Sequence, residues 1–176
     1  GGSGSGSVTI SGGISSTGSL TKTNSGTLTL SGASTYSGGT TINTGSLSLG
    51  STANNLLGSG PVIVNSPSTL NLNGNSDLTN AFTLNGARVV NGNSFSANLN
   101  GPVTLTGTST FDLGTTGNMS IGGNVSGAGG LTKVGTGAGP LVLSGANSFT
   151  GPVAVQAGTL SAASLNRVSG GTPISP

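Results

Sequence analysis

Residues 20–50 read LTKTNSGTLTLSGASTYSGGTTINTGSLSLG, and much of that stretch returns at residues 131–162 as LTKVGTGAGPLVLSGANSFTGPVAVQAGTLSA. Extended to their full reach, residues 10–49 align with 121–162 with one two-residue insertion around Ala138–Pro140. Lys22 meets Lys133, Leu28 and Leu30 meet Leu141 and Leu143, Gly45 meets Gly158, and Tyr36 meets Phe149. A unit that recurs at long range and carries its own alternation is the mark of a stacked architecture, in which each copy buries its apolar face against the next.

Side chains alternate across a strand, so Leu28 and Leu30 point one way while Thr27 and Thr29 point the other. The same alternation marks VTI, GTLTLSG, GSLSLG, PVIVN, STLNLNG, AFTLNG, ARVVNG, ANLNG, PVTLTG, STFDLG, MSIGG, PLVLSG, VAVQAG and GTLSAAS, each bounded by Gly, Asn or Pro. Helical periodicity is nearly absent, and the only places for a short helix or turn are STANNLLGSG and AASLNRVSG. The expected fold class is all-β.

Composition narrows the architecture. The chain has 176 residues, 35 of them Gly, with 3% aromatic and 3% charged residues and no Trp. A core built from Leu, Val, Ile and Ala suits the narrow interior of a solenoid better than that of a sandwich or wide barrel. Leu20 and Leu131 are 111 residues apart, which five coils of ~22 residues would span, so the whole chain makes roughly eight coils, a rod about 35–40 Å long. One domain over residues 1–176 is expected, with a Gly/Ser-rich segment at 1–7 that has the composition of a flexible linker yet runs smoothly into VTISGGISSTGS.

The block LTKTNSGTLTLSGASTYSGGTTINTGSLSLG resembles the autotransporter-associated β-strand repeat, or passenger-associated transport repeat, of secreted bacterial autotransporter passengers. LTKVGTGAGPLVLSGANSFTGPVAVQAGTL is similar to a second, more divergent copy, and residues 51–120 share the composition without the motif. The resemblance implies a right-handed parallel β-solenoid (β-helix), secreted and displayed outside a Gram-negative-type cell, in adhesive or structural proteins. The tail RVSGGTPISP lacks the ~10-residue alternating strands of an outer-membrane barrel, so self-translocation is not expected of it. No run approaches the ~20 apolar residues of a membrane helix, so no membrane insertion is expected.

Reactive chemistry is scarce. There is no His or Cys, which leaves no Ser–His pair and no zinc set. The calcium solenoid motif G-G-x-G-x-D meets Ser where Asp is needed in GGSGSGS, and no cofactor is expected. The two carboxylates have structural readings: Asp77 caps a turn, and Asp112 alternates outward from Phe111 and Leu113. Lys22 and Lys133 hold equivalent places and are expected to point outward as soluble cations. Together with Arg88 and Arg167 they are too dispersed for nucleic acid, and the pI of 9.7 rests on a margin of two charges. Asn-rich turns such as NLNGNSDLTN are expected to stack as amide ladders. Thr-rich segments do not recur at one coil spacing, which weighs against a regular hydroxyl lattice such as ice-binding surfaces use.

Order without reactive groups points to a structural, non-enzymatic role: a stalk segment or a subunit of a self-assembling filament whose partners are copies of itself, joined by head-to-tail stacking or strand addition. The candidate contact is the N-terminal edge, Gly1, Gly2, Ser3, Gly4, Ser5, Gly6, Ser7, Val8 and Ile10. The alternative is an adhesin module that meets surface glycans through Tyr36, Arg88 and Phe149.

Overall fold

Short alternating segments separated by Gly and Asn form strands that cannot bury their apolar side alone, and the chain solves this by winding. The computed structural model describes residues 5–74, 77–137 and 139–165, with eighteen strands in three sheets. The first sheet stacks β1 (Ser7–Ile10), β3 (Thr27–Leu30), β5 (Ser46–Leu49), β7 (Thr69–Asn71), β9 (Arg88–Val90), β12 (Ser109–Asp112), β15 (Leu131–Val134) and β17 (Val153–Val155). The second stacks β2 (Leu20–Lys22), β4 (Thr40–Ile42), β6 (Val62–Asn65), β8 (Phe82–Asn85), β11 (Val103–Gly107) and β14 (Val125–Ser126). The third holds β10 (Ser96–Leu99), β13 (Asn118–Ile121), β16 (Leu141–Leu143) and β18 (Leu160–Ala162).

Among the described residues every neighbouring strand pair is parallel, from Ser7 opposite Thr27 at one end to Leu131 opposite Val153 at the other. The chain is a parallel β-solenoid. Eight strands in the first sheet make seven full turns, and steps of ~4.8 Å put β1 and β17 about 34 Å apart. Coil length is not constant: Thr27 faces Ser46, 19 residues on, and Ser46 faces Thr69, 23 residues on. STANNLLGSG, one of the two candidate helix sites, forms turns.

The interior is built of columns. On the second sheet Ile42, Val64, Leu84 and Leu105 stack in register, all at 0% exposure. On the first, Leu47, Leu70, Val89 and Phe111 do the same. Burying one such side chain is worth roughly 1.5–3 kcal/mol. A single coil holds only a few of them, so its stability comes from its neighbours.

The third face is irregular in the early coils. Residues 31–39 arc from β3 to β4 without forming a strand, yet the ladder continues through them, with Thr35 N donating to Ile14 O at 2.8 Å and Ser37 N to Ser16 O at 3.1 Å. The second repeat copy has the same arc at 144–152, where Ser148 N donates to Val125 O at 2.7 Å and Thr150 N to Gly127 O at 2.9 Å.

The two copies do not sit above one another. Leu20–Lys22 lies on the second sheet and Leu131–Val134 on the first; Thr27–Leu30 lies on the first and Leu141–Leu143 on the third. Five steps along the second sheet lead from β2 to β14, and β15 is the next face onward. The spacing is therefore five and one third coils, not the five whole coils expected, and the second copy is turned by one face.

Candidate functional site

Each repeat copy builds a corner around a buried lysine. In L-T-K the leucine and the lysine are two residues apart and share a face, so Lys22 stands in the inward column beneath Ile42, and Lys133 in the inward column beside Phe111. Lys22 is 8% exposed and Lys133 0%. This corrects the expectation of outward, solubilising cations: the alternation that turns Leu20 and Leu131 inward carries the lysine inward as well.

Backbone carbonyls receive the ammonium groups. Lys133 Nζ donates to Val134 O at 2.8 Å, Gly135 O at 2.7 Å and, one coil on, Ala157 O at 3.1 Å. Lys22 Nζ donates to the equivalent Asn24 O and, one coil on, to Thr44 O at 3.2 Å. Each lysine thus joins two successive corners. The residue after the distant carbonyl is Gly45 in one copy and Gly158 in the other, with φ of 73° and 72°. A Cβ on either would lie 2.7 Å from the lysine Nζ, so glycine meets both the left-handed backbone and the lack of room. Burial lowers the Lys133 pKa from its ordinary value, and the nearby Asp112 carboxylate opposes that shift.

The second feature of each copy is the aromatic in the arc. Tyr36 is 1% exposed and Phe149 3%, so neither offers a recognition surface, and that part of the adhesin expectation is corrected. Both rings lie in the buried interior, and in the first copy Gly58 leaves the ring room, since a Cβ there would lie 3.0 Å from Tyr36 Cγ and Cδ2. Tyr36 Oη lies 2.6 Å from Thr40 Oγ1. Burial raises the phenol pKa, with the Thr40 hydrogen bond opposing. In the second copy the aligned pair is Phe149 and Val153, so both hydroxyls are missing together. Ser34 and Asn147 also correspond: Ser34 Oγ accepts Ile14 N at 3.1 Å, and Asn147 Oδ1 accepts Val125 N at 3.3 Å.

Among the remaining predicted residues, Arg88 is on the surface and pairs with Asp112, with side-chain exposures of 52% and 14%. Asp112 Oδ1 also accepts Gly114 N at 2.8 Å. Asp77 accepts Asn100 Nδ2 at 3.1 Å. Its neighbour Leu78 bridges Leu99 of the third sheet, whereas Asp112 belongs to the first, so the two carboxylates lie on different faces. Among the described residues no three His, Cys, Asp or Glu side chains gather as a metal set. Gly1, Gly2, Ser3 and Gly4 lie outside the described residues; Ser5 and Gly6 are exposed, and Ser7–Ile10 form the edge strand β1.

Two outer features are regular. Amide stacking joins Asn65 Nδ2 to Asn43 Oδ1 at 2.9 Å and Asn85 Nδ2 to Asn65 Oδ1 at 3.5 Å, and Asn93 Nδ2 to Asn73 Oδ1 at 3.0 Å. On the first sheet Ser7, Thr27, Ser46 and Thr69 form one outward column, and Thr9, Thr29, Ser48 and Asn71 the next. The hydroxyls recur in space after all. Unequal coil lengths conceal the columns in the sequence; Arg88 interrupts the first after Thr69, and the second gives way to Asn71 and Val90.

The end faces complete the geometry. At the start Val8 is 60% exposed, and Ile10, Ile14, Leu20 and Leu28 are only partly buried. At the far end Val155 is 45% exposed, and Val153, Leu160 and Ala162 are partly buried. Among the described residues, apolar side chains of the inward columns are exposed or only partly buried at both ends.

Fold and corners together define a β-solenoid whose recurring motif is a structural corner rather than a pocket. The family model of the passenger-associated-transport-repeat matches residues 20–49 and 131–162, together about a third of the chain. Each matched segment opens on the leucine of its lysine corner. No curated protein and no solved structure matches the chain.

Proposed function

We propose that the chain is a structural segment of an extracellular or cell-surface β-solenoid, a non-catalytic spacer that stacks end to end with further copies of itself. The observation that carries this reading is the exposed apolar column at both ends of the described coils, Val8 at 60% and Val155 at 45% exposure. Val8 on β1 and Val155 on β17 lie in the same inward column of the same sheet, so a second copy placed on the end continues that sheet in parallel register. Strand edges left unpaired over apolar surface are strong templates for association. The secreted setting is supported by the repeat, whose family is that of transported passengers.

The test is electron microscopy with sedimentation over a range of concentrations. Wild-type protein is expected to form filaments about as wide as one solenoid. Val8→Asp and Val155→Asp, each placing a charge on an end face, are expected to leave dispersed rods, as is deletion of residues 1–10. Dispersed wild-type rods at every concentration would overturn self-stacking.

A second reading, adhesion to surface glycans, keeps Arg88 and replaces the buried Tyr36 and Phe149 with Phe95. Phe95 is 63% exposed, the Arg88 side chain is 52% exposed, and the first sheet presents ordered hydroxyl columns. Selective signals on a glycan array that Phe95→Ala removes would favour it over the spacer role.

A further inference from the structure

The chain contains four Asn-Gly pairs, Asn73-Gly74, Asn85-Gly86, Asn91-Gly92 and Asn100-Gly101. Asn-Gly is the dipeptide in which a backbone nitrogen most readily attacks the preceding side-chain amide, because glycine leaves the approach unhindered. Three of the four are restrained here. Asn91 is 0% exposed and its amide is fully used: Oδ1 accepts Gly74 N at 2.8 Å, and Nδ2 donates to Phe95 O at 2.8 Å and Asn118 O at 2.7 Å. The first of these bonds also occupies the nitrogen that would attack Asn73. At Asn100 the following nitrogen is held, Gly101 N donating to Leu78 O at 3.3 Å, and the side chain donates to Asp77 Oδ1 at 3.1 Å.

Asn85 differs on each count. It is exposed at the end of β8, its Nδ2 reaches Asn65 Oδ1 only at 3.5 Å, and Gly86 N has no hydrogen-bond acceptor among the described residues. We propose that Asn85 is a spontaneous modification site of the folded protein, passing through a cyclic imide with Gly86 to aspartate and isoaspartate, while the other three pairs are protected by the fold.

The step balances with water alone. Gly86 N, losing its proton, bonds to Asn85 Cγ; the Cγ–Nδ2 bond breaks and ammonia leaves. Water then opens the imide at either carbonyl, so the net change is addition of one water and loss of one ammonia. The product loses the Nδ2 donor and sets a carboxylate against Asn65 Oδ1, breaking the last rung of the Asn43–Asn65–Asn85 ladder. The formal net charge, +2 from four cations and two anions, falls to +1. The isoaspartate form also adds a backbone atom where the register between β8 and β11 already shifts, opposite Asn85.

Folded protein incubated in mildly alkaline heavy-oxygen water and mapped by peptide mass spectrometry tests the proposal. Label is expected at Asn85 at least several-fold faster than at Asn73, Asn91 or Asn100, while the same incubation in denaturant brings the four rates close together. Asn85→Gln, whose longer side chain cyclises far more slowly, is expected to abolish the early acidic species on isoelectric focusing. Labelling of another pair as fast as Asn85 in the folded state, or an Asn85 that reacts only after unfolding, would overturn it.

Discussion

Lys133 occupies a position where its column neighbours are Phe111 and Val155, and it is tolerated there because three carbonyls receive its ammonium. A buried carbonyl stripped of its partner costs roughly 1–3 kcal/mol, whereas an intact bond contributes about 1 kcal/mol net. Lys133→Met keeps the stem and orphans the carbonyls of Gly135 and Ala157, while Val134 O keeps the Leu113 N–H, so a loss of about 2–4 kcal/mol is expected in urea unfolding. Lys22→Met is expected to cost less, because that site keeps 8% exposure and water can reach its carbonyls. An unchanged urea midpoint for Lys133→Met would show that the corner does not depend on the lysine.

Tyr36 is the only tyrosine in a chain without tryptophan, so its titration can be read directly from phenolate absorbance. Burial raises its pKa above the ordinary 10.0. A raised folded pKa means that the stability held by the neutral phenol is complete below pH 10.0 and is lost as the pH climbs through the raised value. The stability difference between wild type and Tyr36→Phe is therefore expected to be constant near neutral pH and to shift against the wild type above 10.0. A phenolate titration centred at or below 10.0 would contradict the buried placement.

At the scale of the element, the arc is the informative unit. Residues 31–39 and 144–152 hold the same backbone bonds although neither is a strand. Their hydroxyl content differs in a coordinated way, Tyr36 with Thr40 against Phe149 with Val153. Removing one hydroxyl of a buried pair leaves the other without a partner, whereas removing both can be nearly neutral. Tyr36→Phe and Thr40→Val are each expected to destabilise by about 1 kcal/mol, and the double variant by less than the sum of the two. Additive losses across that cycle would mean the two hydroxyls act independently.

At the scale of the molecule, a solenoid derives its stability from contacts between neighbouring coils, and its end coils have one neighbour each. Hydrogen exchange is expected to be slowest in β6, β8, β9 and β11, which have coils on both sides, and fastest in β1, β17 and β18, whose inward residues are exposed or only partly buried. Uniform protection from end to end would instead indicate a single cooperative unit. Stacking of copies is expected to slow exchange selectively in β1 and β17.

The alternation of Leu28, Leu30, Leu70 and Val89 with hydroxyl and amide residues was enough to announce a thin one-sided wall, because a period of two assigns faces without reference to the rest of the chain. Four strands escaped that reading: β2, β4, β14 and β15. Two of them are the L-T-K segments, where an inward lysine breaks the apolar pattern; the shared parity of Leu20 with Lys22 was the available signal, and charge masked it. The aromatic positions 36 and 149 were legible as equivalent but not as buried, since the arcs that enclose them lack strand alternation. The sequence by itself determined the local unit of strand, strand and arc, with its lysine, its glycine and its aromatic, because hydrogen bonding and side-chain parity act within one or two coils. Only the tertiary structure decided which face each copy occupies and which hydroxyls align. Both depend on the summed lengths of the intervening coils, which run from 19 to 23 residues on the first sheet, and a step of that size is fixed by how each corner packs on the one below.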